Sequence, residues 1–166
     1  MLTAESLALI DREVAKYPAD QARSAVMSAL RIALEERRQT GTVPEERCLT
    51  TEVIEFVANY LGIPPVAAYE VATFYNMYDM KPVGKYKITV CTNLPCALRG
   101  GVDTANYISR KLGIGLGETT PDGKFTLLEG ECMGACGDAP VLLLNNHSMC
   151  SFMTPEAIDK KLAELE

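Results

Sequence analysis

The chain lacks tryptophan, holds one histidine, and draws only 7% of its 166 residues from the aromatic set. A single histidine excludes a Rieske centre, which takes two imidazole ligands, and it deprives any cysteine nucleophile of a credible base. His147 itself lies in Asn145-Asn146-His147, a sequence suited to a solvated hairpin turn. Cationic excess is lacking too: 16 Lys and Arg face 22 Asp and Glu, a formal net charge of −6. That balance works against a nucleic-acid partner, whose phosphates are bound by clustered cations. No apolar run nears the roughly 18 residues of a membrane-spanning helix, the longest being short stretches such as 141–144, so no membrane insertion is expected. Glu5, Asp11 and Glu13 interrupt any would-be export signal, and a cytosol-like location is expected. There is no Walker motif. Gly113-Ile114-Gly115-Leu116-Gly117 follows a helical pattern rather than a strand and lacks the third glycine of the dinucleotide fingerprint.

What is present is a globular composition, 48% hydrophobic and 23% charged, in a chain long enough to bury a core without disulfides. The organisation changes along it. Residues 1–80 read as a helical bundle in four pieces. The first carries Leu7, Ile10, Val14 and Tyr17 behind a Thr3 cap; the second spans about 22–40 before Gly41; the third spans about 51–61 before Gly62; the fourth opens at Pro64-Pro65. Lys81-Pro82-Val83-Gly84 reads as the boundary. Residues 81–166 alternate in the order β-α-β-β-β-α: strands at 85–91 and 125–132, a helix at 102–112 between them, a hairpin at 141–144 and 149–152, and a last helix opened by Thr154-Pro155. A strand, crossover helix and second strand form a right-handed parallel unit, so the expected fold class is α+β: a helical bundle followed by an open α/β sheet of the thioredoxin type.

Six cysteines without an export signal point to thiolate chemistry. Four fall in two pairs, Cys91 with Cys96 and Cys132 with Cys136, each at the C-terminal end of one of the strands joined by the crossover helix. Paired strands would bring both loops to one sheet edge, where open α/β sheets hold ligands. Four thiolates with nearby glycines and apolar neighbours suit an iron–sulfur cluster; a zinc site and a dithiol carrier are the alternatives. Loops of four and three intervening residues, set far apart in the chain, favour 2Fe-2S over zinc knuckles or the closely packed 4Fe-4S run. Cys48 and Cys150 have no partner at ligand spacing and read as packed small hydrophobes.

In its ordered motifs the chain resembles the thioredoxin-like 2Fe-2S subunits of proton-pumping NADH:quinone oxidoreductase, respiratory complex I. The resemblance is carried by Cys91-x4-Cys96, Cys132-Met133-Gly134-Ala135-Cys136-Gly137-Asp138-Ala139-Pro140, Glu70-Val71-Ala72-Thr73-Phe74-Tyr75, Pro82-Val83-Gly84 and Thr120-Pro121-Asp122-Gly123-Lys124-Phe125. It covers nearly the whole chain and is weakest before about residue 22. It implies one 2Fe-2S cluster on Cys91, Cys96, Cys132 and Cys136, a role in electron transfer, and no catalytic residue of the chain's own. It further implies docking on a partner subunit that binds FMN and NADH, in a peripheral arm on the cytoplasmic side of the inner membrane. Equivalent subunits of NAD-dependent formate dehydrogenases and NAD-reducing hydrogenases are the enzyme-level alternative, and a zinc-stabilised structural adaptor is the alternative of another class.

The stretch 69–80 is dense in aromatic and sulfur side chains and places Val71, Phe74, Tyr75 and Tyr78 on one helical stripe, read as core or as a docking surface. Glu35-Glu36-Arg37-Arg38 reads as a solvated face. Glu129, Glu131 and Asp138 flank the second cysteine pair, and reduction adds negative charge there, so the expected potential is low, on the order of −400 mV as in plant-type centres. Asp138→Asn is therefore expected to raise the midpoint potential in a redox titration; an unchanged or lower value would contradict the charge argument.

Overall fold

A computed structural model describes residues 2–165. The chain divides into two compact units, residues 1–82 and residues 83–166.

In the first unit, α1 (Ala4–Val14) starts where the Thr3 hydroxyl accepts the Ser6 N–H at 3.3 Å, a cap of a kind that contributes about 1 kcal/mol. Glu36 accepts the Thr3 N–H and hydroxyl at 3.1 and 2.9 Å. Burial pushes that carboxyl up, but hydrogen bonds from Ser6 and Thr3 outweigh it and hold the carboxyl below its ordinary value. The second helix begins later than its apolar pattern suggested. Residues Ala19–Ala25 take a tighter 3-10 path that starts behind Pro18 and is broken at Gln21, and α2 covers Val26–Thr40. α3 (Thr51–Tyr60) is closed by Gly62 at φ +68, with the Ile63 N–H donating to the Ala58 carbonyl at 3.0 Å. α4 (Pro65–Phe74) opens with proline in its first turn, where the missing N–H costs nothing.

The helices close over Ile10, Leu30, Leu34, Ile54, Val57 and Ala68. The expected stripe through residues 71–78 does not exist, because Tyr75 is extended and α4 ends before it. Val71 packs on the core, Phe74 is 80% exposed, and Tyr78 turns inward to donate its hydroxyl to the Met27 carbonyl at 2.8 Å. Burial pushes the Tyr78 phenol up to about 12. Nor are residues 35–38 wholly a solvated face. Arg38 forms a largely buried ion pair with Asp79, and the Arg37 guanidinium donates to the carbonyls of Cys48 and Glu45. Removing one partner of such a pair strands the other charge. Asp79→Ala is expected to lower unfolding stability by about 3 kcal/mol, measured as a shift in the denaturant midpoint.

The second unit is built on a four-stranded mixed sheet in the order β2-β1-β3-β4. β1 (Tyr86–Cys91) runs parallel to β2 (Phe125–Gly130), from Tyr86 opposite Phe125 to Cys91 opposite Gly130. β3 (Leu142–Leu144) pairs antiparallel with β1 and with β4 (Ser148–Cys150). Asn145 and Asn146, at φ 54 and 58, make the tight turn between them, since their short polar side chains tolerate left-handed backbone, and His147 is exposed beside them. Two helices cover one face of the sheet. α6 (Gly101–Leu112) supplies Ala105 and Ile108, and α7 (Pro155–Glu164) supplies Ile158 and Leu162, against Ile88, Val90, Phe125, Leu127 and Leu142.

A further helix, α5 (Leu94–Leu98), lies between β1 and α6, where the pattern suggested only a loop; five residues are too few to show a helical period. β2 stops at Gly130 and β4 at Cys150, two residues short of their expected ends. In β4 the reason is local: Phe152 has φ +53, outside the extended region. Gly113 and Gly117, both at positive φ, serve as a helix stop and a turn. The architecture is α+β, and no helix among the described residues is long and apolar enough to cross a membrane.

Candidate metal centre

Cys91 is the last residue of β1, and Cys96 lies in α5, directly after the loop that follows that strand. Asn93 caps the short helix by accepting the Leu94 N–H at 2.8 Å. Both thiols are buried, at 1% exposure. Cys132 and Cys136 follow β2 and are exposed. Gly134, at φ +71, turns the chain between them so that its N–H donates to the Cys132 sulfur at 3.4 Å, and Cys136 begins a short 3-10 turn to Asp138.

The parallel ladder brings the two loops together, and side chains tie them. Thr92 donates its hydroxyl to Glu129 at 2.5 Å, and the Asn93 amide donates to Glu131 at 3.0 Å. These two carboxylates, singled out in the sequence only as charges, therefore also fasten the first loop to the end of β2. On the other side the Cys91 N–H donates to the Val141 carbonyl at 3.1 Å.

The four thiols come as two pairs. Cys91 and Cys96 flank the turn that follows β1, and Cys132 and Cys136 lie in the loop that follows β2. Burial pushes the Cys96 thiol up to about 11, with Cys91, Cys136 and Cys132 adding to the rise. The Cys136 thiol is raised as well, by desolvation first and then by Cys132 and Cys91. Thiols whose ionisation is opposed by burial and by neighbouring cysteines, as at Cys96 and Cys136, suit a cationic iron core, which compensates thiolate charge. Among the described residues, no three His, Cys, Asp or Glu side chains are grouped to hold a single metal ion. A donor set in pairs matches a two-iron core, in which each iron takes two cysteines. Cys48 is buried in the first unit and Cys150 half-buried by the hairpin of the second, and burial pushes both thiols up.

The profile of the thioredoxin-like 2Fe-2S ferredoxin family matches residues 10–166. The chain belongs to that family. A Rickettsia conorii protein, named as a subunit of NADH-quinone oxidoreductase, is 46% identical over 142 residues, which are 86% of this chain and 80% of that one. The Rickettsia felis protein of the same name is 44% identical over 160 residues, 96% and 90% of the two chains. The mitochondrial NADH dehydrogenase (ubiquinone) flavoprotein 2 of Dictyostelium discoideum is 40% identical over 144 residues, 87% of this chain and 55% of that one. Among solved structures, an NAD+-reducing NiFe-hydrogenase in the air-oxidised state superposes with a TM-score of 0.64 at 19% identity, over 82% of this chain and 22% of the other. The chain thus spans about a fifth of that hydrogenase chain, and at such identity the likeness is one of fold.

One residue that its motif spacing did not mark supports the first loop. Gly101 opens α6 so close to that loop that a Cβ there would stand 2.6 Å from the Cys91 carbonyl oxygen and 2.9 Å from that of Cys96. Both obstacles are backbone, which cannot swing aside as a side chain does. The adjacent glycines at 100 and 101, just after a cysteine loop, were the available signal. Gly101→Ala is expected to displace the Cys91–Cys96 loop and lower cluster occupancy after reconstitution by about tenfold, in the range seen when residues behind metal ligands are changed; iron and sulfide analysis of the folded variant measures it.

Proposed function

We propose that this chain is the 2Fe-2S electron-transfer subunit of an NADH:quinone oxidoreductase, with Cys91, Cys96, Cys132 and Cys136 as the cluster ligands. The observation that carries the reading is the meeting of two cysteine pairs at the ends of paired parallel strands, in a member of a 2Fe-2S family. The names of relatives 40–46% identical over most of the chain support the assembly. When bound, the cluster supplies one-electron exchange.

The chain's own residues hold and tune that site. Cys91 and Cys96 supply two sulfurs from a buried loop, and Cys132 and Cys136 supply two from an exposed one. Glu129 and Glu131 keep the two loops in register through Thr92 and Asn93 while adding negative charge, which favours a low potential. Backbone N–H groups such as that of Gly134 oppose this by stabilising sulfur charge. FMN and NADH bind a partner subunit in this reading, since this chain has no nucleotide motif. The exposed Leu94, Leu98 and Phe152 give the cysteine-bearing unit apolar surface for that contact. The complex would place the chain in a peripheral arm on the cytoplasmic side of the inner membrane.

Anaerobic purification followed by metal analysis, a visible spectrum and EPR after dithionite reduction tests the assignment. About two irons and two sulfides per chain, with a rhombic signal altered by Cys→Ser at each of the four positions, is the expected result. Zinc without iron would make the chain a structural adaptor and sink the redox reading.

A further inference from the structure

We propose that the first turn of α6 and residues Ser151, Phe152 and Met153 form one positioning frame that sets the second cysteine loop against the first, with Ser151 and Phe152 as positioning residues. This rests on the reading of the four cysteines as cluster ligands.

Phe152 bears two costs that packing does not explain. Its φ of +53 is disfavoured for a bulky side chain, and the residue is 55% exposed. What the left-handed turn achieves is a double attachment to the loop that carries Cys136. The Phe152 N–H donates to the Asp138 carbonyl at 2.8 Å, and the next N–H, that of Met153, donates to the Pro140 carbonyl at 2.9 Å. The Ser151 hydroxyl adds a third bond, to the Asp138 carboxylate at 3.1 Å. At the start of α7 the Thr154 N–H also donates to the Phe152 carbonyl at 2.8 Å, while the helix itself is capped by the Thr154 side chain and opened by Pro155.

The frame has a fixed base. Met153 is buried in the core of the unit, and its carbonyl accepts the hydroxyl of buried Thr104 at 3.3 Å. Thr104 stands in the first turn of α6, three residues after Gly101, which abuts the carbonyls of Cys91 and Cys96. One helical turn therefore touches the first loop directly and reaches the second through Met153 and Phe152. Residues behind metal ligands orient them and set their affinity, and this frame does so for both pairs from a single support.

The test uses the full chain with its cluster, as wild type and as Phe152→Val, Phe152→Gly, Ser151→Ala and Ser151→Thr. Readouts are the reduced EPR spectrum, the midpoint potential, the rate of cluster loss to a chelator, and amide hydrogen exchange at residues 152 and 153. A β-branched side chain resists left-handed backbone while glycine adopts it freely. Phe152→Val is therefore expected to lose its cluster about tenfold faster, with a shifted EPR spectrum and faster exchange, and Phe152→Gly to keep the wild-type spectrum. Ser151→Ala is expected to shift the spectrum and potential, and Ser151→Thr to restore both. If Phe152→Val and Ser151→Ala fold and match wild type in spectrum, potential and loss rate, the frame is refuted. Should Phe152→Val not fold, the Ser151 pair decides by the same criteria. A wild-type chain that takes up no iron would overturn the ligand reading and the frame with it, an outcome distinct from losses confined to the variants.

Discussion

Parallel hydrogen bonding between β1 and β2, with Cys91 opposite Gly130 at its end, is the constraint on which the candidate site depends. Parallel neighbours cannot be joined by a tight turn, so the chain must cross over, and α6 does so on the face where Ile88, Val90, Phe125 and Leu127 await cover. Burial of that apolar face and juxtaposition of the two cysteine loops are thus one event. A one-residue slip in the β1–β2 register would turn the core side chains to the wrong face and offset the loops together. The position of the thiols is in this way guarded by the same energy that holds the core.

Electrostatics pull against this arrangement. The Cys96 and Cys136 thiols are pushed up by burial first and then by neighbouring cysteines. Three carboxylates lie close by, at Glu129, Glu131 and Asp138, and all three accept hydrogen bonds from neighbouring side chains. A binding loop without its ion is usually free to spread. Here Thr92, Asn93 and Ser151 bridge to those carboxylates, so the acidic residues that disfavour added charge also resist that spreading. Fixing the loops and placing negative charge beside the thiols are served by the same side chains.

The helical unit shows a different economy. Its stability rests on a small-residue core around Leu30, Ile54 and Val57, with Arg38 and Asp79 paired inside it. The aromatic stretch after α4 divides between inside and outside. Tyr78 is bound to a backbone carbonyl in the core, whereas Phe74 stands almost free in solvent. An aromatic left that exposed on a half-apolar chain is surface available for contact rather than packing.

Much of this was legible in the sequence, for identifiable reasons. Proline and glycine mark helix ends through their backbone preferences, so Pro65, Gly41 and Gly62 located three boundaries; apolar periodicity located α1, α3 and α6; and the cysteine spacing named a donor set. The 3-10 start of α2, the short α5 and the end of α4 at Phe74 were hidden, because one or two turns carry no period and a helix end without glycine or proline is decided by what packs nearby. By itself the sequence determined the α+β class, the spacing that sets four cysteines in two pairs and the resemblance in its motifs, since each is a local property of residue type and spacing. Only the tertiary structure decided that one cysteine pair is buried and the other exposed, that Glu129 and Glu131 are ties as well as charges, and that Gly101 and Phe152 lie against the cysteine loops. Those facts depend on residues far apart in the chain meeting, and no local pattern encodes a meeting.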